Sequence, residues 1–196
     1  MKKNDRNTKG RIISAAWKLF YDQGFEETTI EDIVRESETS KGSFYHYFES
    51  KDALIGSLAY IFDEKYEELE ERMDDSMNSL EKLKFLNHEM FLMIDETISL
   101  DLLARLLSTQ ILKRGEKQLL DRSRVYFKLL KKVITDGQAR HEITDSLHAE
   151  TILKDYAMQE RALMYDWCLN NGEYNLTELG DRIMSEFINN YKYQSN

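Results

Sequence analysis

Residues 40–54, SKGSFYHYFESKDAL, place five aromatic or imidazole side chains in a row, with small polar residues on either side. A core helix presents one stripe to the interior and so carries about one aromatic side chain per turn. Five consecutive rings must therefore surround their helix. On a wheel of about 100° per residue, Phe44 and Phe48 share one face and are predicted to point into the core.

The rest of this short helix carries groups that suit a DNA major groove. Gly42, Ser43 and His46 are expected on its outer face, and the phenols of Tyr45 and Tyr47 on its two flanks. In a major groove, the centre of a reading helix meets base edges and its sides meet phosphates. A tightly packed core corner is the alternative, but the two phenols and the imidazole cannot all point inward with both phenylalanines.

The whole chain is predicted to be all-α. It has 196 residues, eight glycines and no proline, and its apolar residues recur at intervals of three and four. Capping residues and glycines divide it into nine predicted helices. They cover about 9–23, 28–37, 40–48, 50–69, 79–97, 101–113, 117–137, 147–170 and 176–192.

The second and third predicted helices are short and are separated by about three residues, Glu38 to Ser40. A tight turn between two short helices is the helix-turn-helix arrangement, in which the second helix reads DNA. Lys41 and Lys51 each follow a serine cap, so an ammonium group and the positive end of a helix dipole could face a phosphate together. These features predict a DNA-binding N-terminal region.

Residues 8–58 resemble the DNA-binding domain of the TetR family of bacterial transcriptional regulators. The resemblance rests on IISAAWKLFYDQGFEETTIEDIV at 12–34 and TSKGSFYHYFESKDAL at 39–54. It implies an N-terminal three-helix DNA-binding domain, residues 1–50, joined by a long fourth helix to a helical ligand-binding and dimerisation domain, residues 51–196. It also implies a homodimer, which we expect to form through the last two helices because both carry many apolar residues.

The resemblance also assigns roles to residues near the turn. Thr29, Tyr45 and Lys51 fall on phosphate-contacting positions, and the residues on the recognition helix, which Ser40 caps, are Lys41, Gly42, Ser43, His46 and Tyr47. One position departs from the family pattern. Where the family has a small residue followed by glycine, this chain has Ser37 and Glu38. A carboxylate residue thus occupies a turn position at which glycine permits a positive φ angle.

The charge and composition limit the other functions. The net charge is −9, but residues 1–51 carry nine basic and nine acidic residues, so the acidic excess lies outside the predicted DNA-binding region. We expect a cytoplasmic protein, since no apolar run approaches the length of a membrane span and the single cysteine cannot form an intrachain disulfide. The histidines lack metal-ligand spacing, and no catalytic triad or phosphate loop occurs. We therefore expect no metal, no cofactor and no enzymatic activity.

These observations predict a ligand-responsive transcriptional regulator. The preferred form is a dimeric repressor that binds a pseudo-palindromic operator in double-stranded DNA and is released by a small-molecule effector. A helical small-molecule carrier or interaction protein that does not bind DNA is the alternative, and Glu38 is the residue that motivates it. The sequence also leaves an activator open.

The effector site is expected among the fourth to eighth helices. Aromatic side chains supply contact area there, and phenols or an indole N–H supply oriented hydrogen bonds. The charge of the effector is left open, because the acidic excess favours a cation or a neutral molecule whereas Arg105, Arg122, Arg124 and Arg161 could each neutralise an anion. The predicted wall residues are Phe62, Tyr66, Phe91, Ile94, Leu103, Leu107, Tyr126, Phe127, Tyr156 and Trp167.

Overall fold

The computed structural model describes residues 3–74, 76–112 and 117–194, and nine α-helices lie within these ranges. The predicted all-α class is confirmed. Two short 3-10 segments, Asp52–Ser57 and Gln118–Leu120, precede the fourth and seventh helices. The helices are α1 (Lys3–Gln23), α2 (Ile30–Glu36), α3 (Lys41–Tyr47), α4 (Leu58–Arg72), α5 (Ser79–Thr97), α6 (Leu100–Leu112), α7 (Val125–Ala139), α8 (Ala149–Leu169) and α9 (Leu176–Asn189).

Two helices begin later than the sequence predicted, each because a polar side chain bonds locally to the backbone. Before α4, the Ser57 hydroxyl donates to the Leu54 carbonyl at 2.5 Å, and the segment adopts 3-10 geometry. Before α7, the Asp121 carboxylate accepts from the Ser123 amide at 2.8 Å, which forms a turn where the prediction had continuous helix.

The chain forms two compact units, Met1–Tyr60 and Ile61–Asn196. The first unit ends later than the predicted boundary at residue 50, because the 3-10 segment packs against α1. The indole N–H of Trp17 in α1 donates to the Ser57 hydroxyl at 2.8 Å in this contact. The functional division at residue 50 stays a prediction.

The core of the first unit brings α1, α2 and α3 together. Ile12 and Phe20 of α1, Ile33 of α2 and Phe44 of α3 are all at most 1% exposed. Phe25, in the loop after α1, stacks back on Phe20 with ring centroids 4.9 Å apart. The long helix α1 and the short helices α2 and α3 thus share one apolar centre.

The second unit is built around a close contact between α5 and α9. At Gly180 of α9, a Cβ atom would lie 2.2 Å from Cδ2 of Phe91 in α5, so only glycine fits. Asp95 of α5 fixes the start of α9, because its carboxylate accepts from the amides of Leu176 at 3.2 Å and Thr177 at 2.8 Å. The position of α9 against α5 is therefore specified by packing and by a cap.

Two further observations concern the described ranges alone. None of their helices combines the length and the apolar character that crossing a bilayer requires. No cluster of three or more His, Cys, Asp or Glu residues suited to holding a metal ion occurs in them.

Candidate DNA-reading surface and effector cavity

The third helix, α3, is held in place by one apolar face and by its cap. Phe44 is fully buried and Phe48 is 7% exposed, as the sequence predicted, and their ring centroids lie 5.8 Å apart. The Ser40 hydroxyl accepts from the Ser43 amide at 3.0 Å and lies 2.9 Å from the Ser43 hydroxyl. The N-cap thus engages the serine that was expected to face DNA.

The remaining residues of α3 and its N-cap residue form a surface that is exposed or partly exposed, which we call the reading surface. It consists of Ser40, Lys41, Gly42, Ser43, Tyr45, His46 and Tyr47. Tyr45 is 51% exposed. A Cβ atom at Gly42 would meet only the Ser40 hydroxyl oxygen, at 3.7 Å, so the fold itself does not require glycine there. The small residue at this position therefore leaves room for something outside the chain.

Lys41 of the reading surface and Lys51, which follows α3, already have intramolecular partners. Lys41 forms an ion pair with the exposed Glu31 of α2. The Lys51 ammonium donates to the carbonyls of Phe25 at 2.6 Å and Glu26 at 3.2 Å, and lies 4.3 Å from the centroid of the Phe25 ring. An ammonium has three donors, so Lys51 keeps one for a phosphate. The predicted phosphate contact of Lys51 is compatible with this geometry. Its ammonium group would then donate to the phosphate and to the two carbonyls together.

A capping box begins α2, and a residue in the left-handed conformation forms the turn after it. Thr29 caps α2 in a capping box, accepting from the Asp32 amide while the Asp32 carboxylate accepts from the Thr29 amide, each at 3.1 Å. This leaves Thr29 exposed beside the first turn of α2. Glu38 has a φ angle of 50°, so the turn adopts the left-handed conformation even though a carboxylate residue occupies it.

The second unit contains a small apolar cavity of about 40 Å³, the inner cavity. Its walls come from α4, α5, α6, the start of α7 and α8. Seven of the ten predicted wall residues line it, namely Phe62, Tyr66, Phe91, Ile94, Leu103, Leu107 and Tyr126. The sequence named Arg124 and Arg161, which also line it, as candidate partners of an anionic effector. It did not identify the remaining lining residues, which are Met90, Leu106, Leu119, Glu160 and Met164.

Three predicted wall residues do not line the inner cavity, because their side chains make other contacts within the chain. The Tyr156 hydroxyl donates to the Leu83 carbonyl at 2.9 Å, and the Trp167 indole N–H donates to the Tyr174 carbonyl at 2.8 Å. Phe127 is buried and carries the Arg122 guanidinium 4.5 Å from its ring centroid. An aromatic residue in this part of the sequence can therefore be core or cavity wall, and its type does not distinguish the two.

Glu160 is the one carboxyl group in the wall of the inner cavity. It is 4% exposed, and it accepts from the Tyr126 hydroxyl at 2.6 Å and from the Asn87 amide at 3.2 Å. Burial raises the pKa of this carboxyl, although these hydrogen bonds and the charge of Arg161 oppose the rise. Glu160 follows Tyr156 by four residues and precedes Leu163 by three, so helical periodicity places its carboxylate in a buried stripe. This pattern in the sequence could have identified it.

Arg124 links the cavity to α4 through a bidentate ion pair. Its guanidinium donates to both carboxylate oxygens of Asp63 at 3.0 Å, and the Tyr126 amide also donates to Asp63 at 3.3 Å. The two side chains are 10% and 17% exposed, so water screens this pair less than a surface pair. Asp63 follows the cavity residue Phe62 in α4, which ties the wall of the cavity to that helix.

The other two candidate arginines lie on the surface of the second unit, outside the inner cavity. Arg105 pairs with Asp101 one turn earlier in α6, at 2.8 Å. Arg122 lies 4.0 Å from Glu150. Of the four arginines considered, Arg124 and Arg161 therefore line the cavity.

Comparison with known proteins assigns both units. The family described as "Bacterial regulatory proteins, tetR family" matches residues 12–58, and "YsiA-like protein, C-terminal region" matches residues 62–190. The chain belongs to the TetR family. As a member of it, the protein is a DNA-binding transcriptional regulator that responds to a ligand, as the sequence predicted. The relatives found are transcriptional regulators.

This TetR-family chain has relatives along most of its length. It is 26% identical over 141 residues to the uncharacterized HTH-type transcriptional regulator YvdT of Bacillus subtilis (strain 168), which covers 71% of this chain and 72% of YvdT. Among solved structures, FadR from Bacillus subtilis in complex with stearoyl-CoA has a TM-score of 0.65 at 20% identity, covering 92% and 97% of the two chains. FadR from Thermus thermophilus with lauroyl-CoA has a TM-score of 0.66 at 18% identity, covering 92% of each. These structures share the fold.

Proposed function

We propose that the protein is a repressor that binds a pseudo-palindromic operator as a homodimer and is released by a small molecule held in the inner cavity. The proposal that the protein binds DNA rests on the reading surface, which has an exposed glycine at its centre and an exposed phenol at its flank. Two such surfaces related by a two-fold axis would enter successive major grooves. The carrier without DNA binding, and an activator, are the competing functions.

The roles within the DNA site are assigned by position. Tyr45, Lys51 and Thr29 would contact phosphates, whereas Ser43 and His46 would meet base edges, supported by Gly42, Lys41 and Tyr47. Replacing Tyr45 with Phe or Lys51 with Ala should weaken binding to all sequences alike, and the lysine variant should also reduce the salt dependence. Changes at Ser43 or His46 should alter which operator is preferred.

The test is a gel shift with the DNA upstream of the protein's own gene, against an unrelated fragment of equal length. We expect a specific complex that the four variants affect in two distinct ways. Equal, sequence-independent losses at all four positions would contradict the division of roles. Absence of any complex, with the chain folded, would favour the carrier. Transcription from this DNA in vitro separates repression from activation.

The homodimer is proposed to form through α8 and α9. Leu169 of α8 is 70% exposed, and the α9 residues Leu179, Ile183 and Phe187 are partly exposed at spacings of four. Such a stripe on a terminal helix pair suits a two-fold four-helix interface. Other apolar residues of these two helices pack inside the chain, namely Ile152, Leu153, Tyr156, Leu163, Trp167, Leu176 and Ile188. A monomeric mass in light scattering at micromolar concentration would contradict the dimer.

The effector is proposed to be a largely apolar molecule. The lining of the inner cavity supports this, since most of its side chains are aliphatic or aromatic, and so do the stearoyl-CoA and lauroyl-CoA bound by the two FadR proteins. A ligand that separates Phe62 and Tyr66 from α7 would strain the Asp63–Arg124 pair. Because α4 begins in the first unit, its displacement would change the separation of the two reading surfaces.

A further inference from the structure

An ion pair joins the reading surface to α2. Lys41, the first residue of α3, pairs its ammonium with the carboxylate of Glu31 in the first turn of α2. The two side chains are 57% and 62% exposed, so water screens the pair and it contributes little to folding. Ile33 and Phe44 already hold α2 and α3 in the buried core of the first unit. Folding therefore gives little reason for a carboxylate at position 31.

The α2 helix carries three carboxylates, and the contacts within the described residues give each a different place. Asp32 belongs to the capping box, where it accepts from the Thr29 amide at 3.1 Å. Glu36 lies at the other end of α2 and pairs with Lys18 of α1 at 2.5 Å. Of the three, Glu31 is the one that reaches α3.

Both groups of the pair are held in their charged forms. The hydrogen bond between them lowers the pKa of the Glu31 carboxyl from its usual value and raises the pKa of the Lys41 ammonium. A carboxylate beside DNA is repelled by the phosphates unless the DNA offers it a hydrogen-bond donor. In the major groove, the donors are the amino groups of cytosine and adenine.

The start of α3 carries the smallest side chains of the reading surface, those of Ser40, Gly42 and Ser43. A Cβ atom at Gly42 would meet only the Ser40 hydroxyl oxygen, at 3.7 Å, so a base edge can approach closely here. In a helix-turn-helix, the N-terminal residues of the second helix contact base edges. Lys41 and Glu31 would thus face the bases as one unit, with a donor and an acceptor side by side.

A G·C base pair presents the groups that complement this unit. Guanine offers two neighbouring acceptors, N7 and O6, and cytosine offers the N4 donor beside O6. O6 and N4 lie about 2.9 Å apart, which is also a typical separation of an ammonium and a carboxylate. An A·T pair fits less well, because adenine N7 would repel a carboxylate bound at N6 and the thymine methyl would crowd an ammonium bound at O4.

We propose that Glu31 determines sequence specificity by accepting a hydrogen bond from cytosine N4 of one G·C pair in each operator half-site, while Lys41 donates to the O6 and N7 atoms of the paired guanine. A base is then read from α2 as well as from the recognition helix. The inference rests on the operator binding proposed above and is independent of repression and of the effector. Removing the carboxylate relieves repulsion by phosphates and loses the base contact, so the ratio of specific to non-specific affinity should fall.

The first experiment selects binding sites from a pool of DNA duplexes with a randomised centre, using the full-length chain. We expect wild type to select two related half-sites with a G·C pair at one fixed position in each. Glu31→Ala and Lys41→Ala should both reduce the preference at that position by about tenfold and keep the rest of the selected sequence. Thermal unfolding checks that each variant is folded.

Glu36→Ala is the matched control. It removes the same charge and an exposed ion pair from the same helix, but at the end that contacts α1. It should raise affinity for all duplexes slightly, because one negative charge is lost, and leave every base preference unchanged.

The second experiment removes the proposed donor from the DNA. In the selected duplex, 2-pyrimidinone, which lacks the N4 amino group, replaces the cytosine while the guanine is kept. Fluorescence anisotropy should show about tenfold more loss of affinity for wild type than for Glu31→Ala, because the variant has already lost this contact. Equal losses would mean that Glu31 acts only by positioning Lys41.

Three results would overturn the inference. They are a wild-type site without the fixed G·C pair, an unchanged preference in Glu31→Ala, and equal losses of the two proteins on the 2-pyrimidinone duplex. Each of these leaves the proposed operator binding intact, provided that wild type selects a defined half-site. If folded wild type selects no sequence at all, the proposed operator binding fails and the role of Glu31 fails with it.

Discussion

The reading surface and the inner cavity differ in how their residues relate to packing. Gly42 and Tyr45 are exposed, and a Cβ atom added at Gly42 would meet only the Ser40 hydroxyl oxygen. Phe91 and Tyr66 line the cavity but are also buried core residues, 1% and 4% exposed. A site outside the core is therefore visible as residue types that packing does not explain. A site made of core residues has no such separate signature.

This contrast determined what could be predicted from the sequence. The five consecutive rings of α3 exceed what one buried stripe can hold, so Phe44 and Phe48 were correctly placed inside and Tyr45 outside. In the second unit, Tyr156 and Trp167 have the same residue types as Tyr126 but bond to backbone carbonyls elsewhere. Which ring faces a cavity depends on contacts between helices distant in sequence, which helical periodicity does not encode.

Two glycines distinguish the two regions with the largest expected effect: Gly180 is buried in the α5–α9 contact, and Gly42 is exposed on the reading surface. Gly180→Ala should destabilise the second unit by about 1–3 kcal/mol, since the added methyl would lie 2.2 Å from the Phe91 ring and overpack the α5–α9 contact. Urea denaturation measures this loss. Gly42→Ala is the matched control in the first unit and should leave stability unchanged or slightly raised. Equal losses would mean that both helices are packed alike.

The same Gly42→Ala variant should weaken operator binding although it leaves the fold intact. A methyl group at the centre of the reading surface would hold α3 away from base edges, and we expect a loss of about tenfold, the scale of one lost base contact. Fluorescence anisotropy with operator DNA measures this loss of affinity. The control is Ala53→Ser, a small change at an exposed position outside α3. Unchanged affinity would exclude close approach at this glycine.

Glu38→Gly tests the turn between α2 and α3. A non-glycine residue in the left-handed region costs roughly 1–2 kcal/mol, so glycine at this φ of 50° should raise stability by about that amount, less the entropy glycine loses on folding. Thermal unfolding measures the gain. A lower melting temperature would show that the Glu38 side chain stabilises the turn. Tighter DNA binding by the same variant would indicate that the carboxylate repels phosphates.

Glu160→Gln tests the polar wall of the inner cavity through pH. The folded state raises the pKa of Glu160, so the unfolded chain releases this proton first as pH rises, and stability falls with pH through the interval between the two pKa values. The stability of the glutamine variant does not fall in this way, because glutamine has no proton to release in this pH range. Its melting temperature relative to wild type should therefore be higher at pH 8 than at pH 4. The opposite trend would mean that the ionised carboxylate is the stabilising form.

The separation of the two sites is tested most directly by measuring two dissociation constants, for operator DNA and for lauroyl-CoA, in wild type, Gly42→Ala and Leu107→Trp. We predict that Gly42→Ala loses DNA affinity and keeps the ligand affinity of wild type. Leu107→Trp should keep DNA affinity, lose ligand affinity and remain on the operator when ligand is added. If either variant, while folded, impairs both equilibria to the same extent, the reading surface and the cavity are not separable sites and the account is wrong.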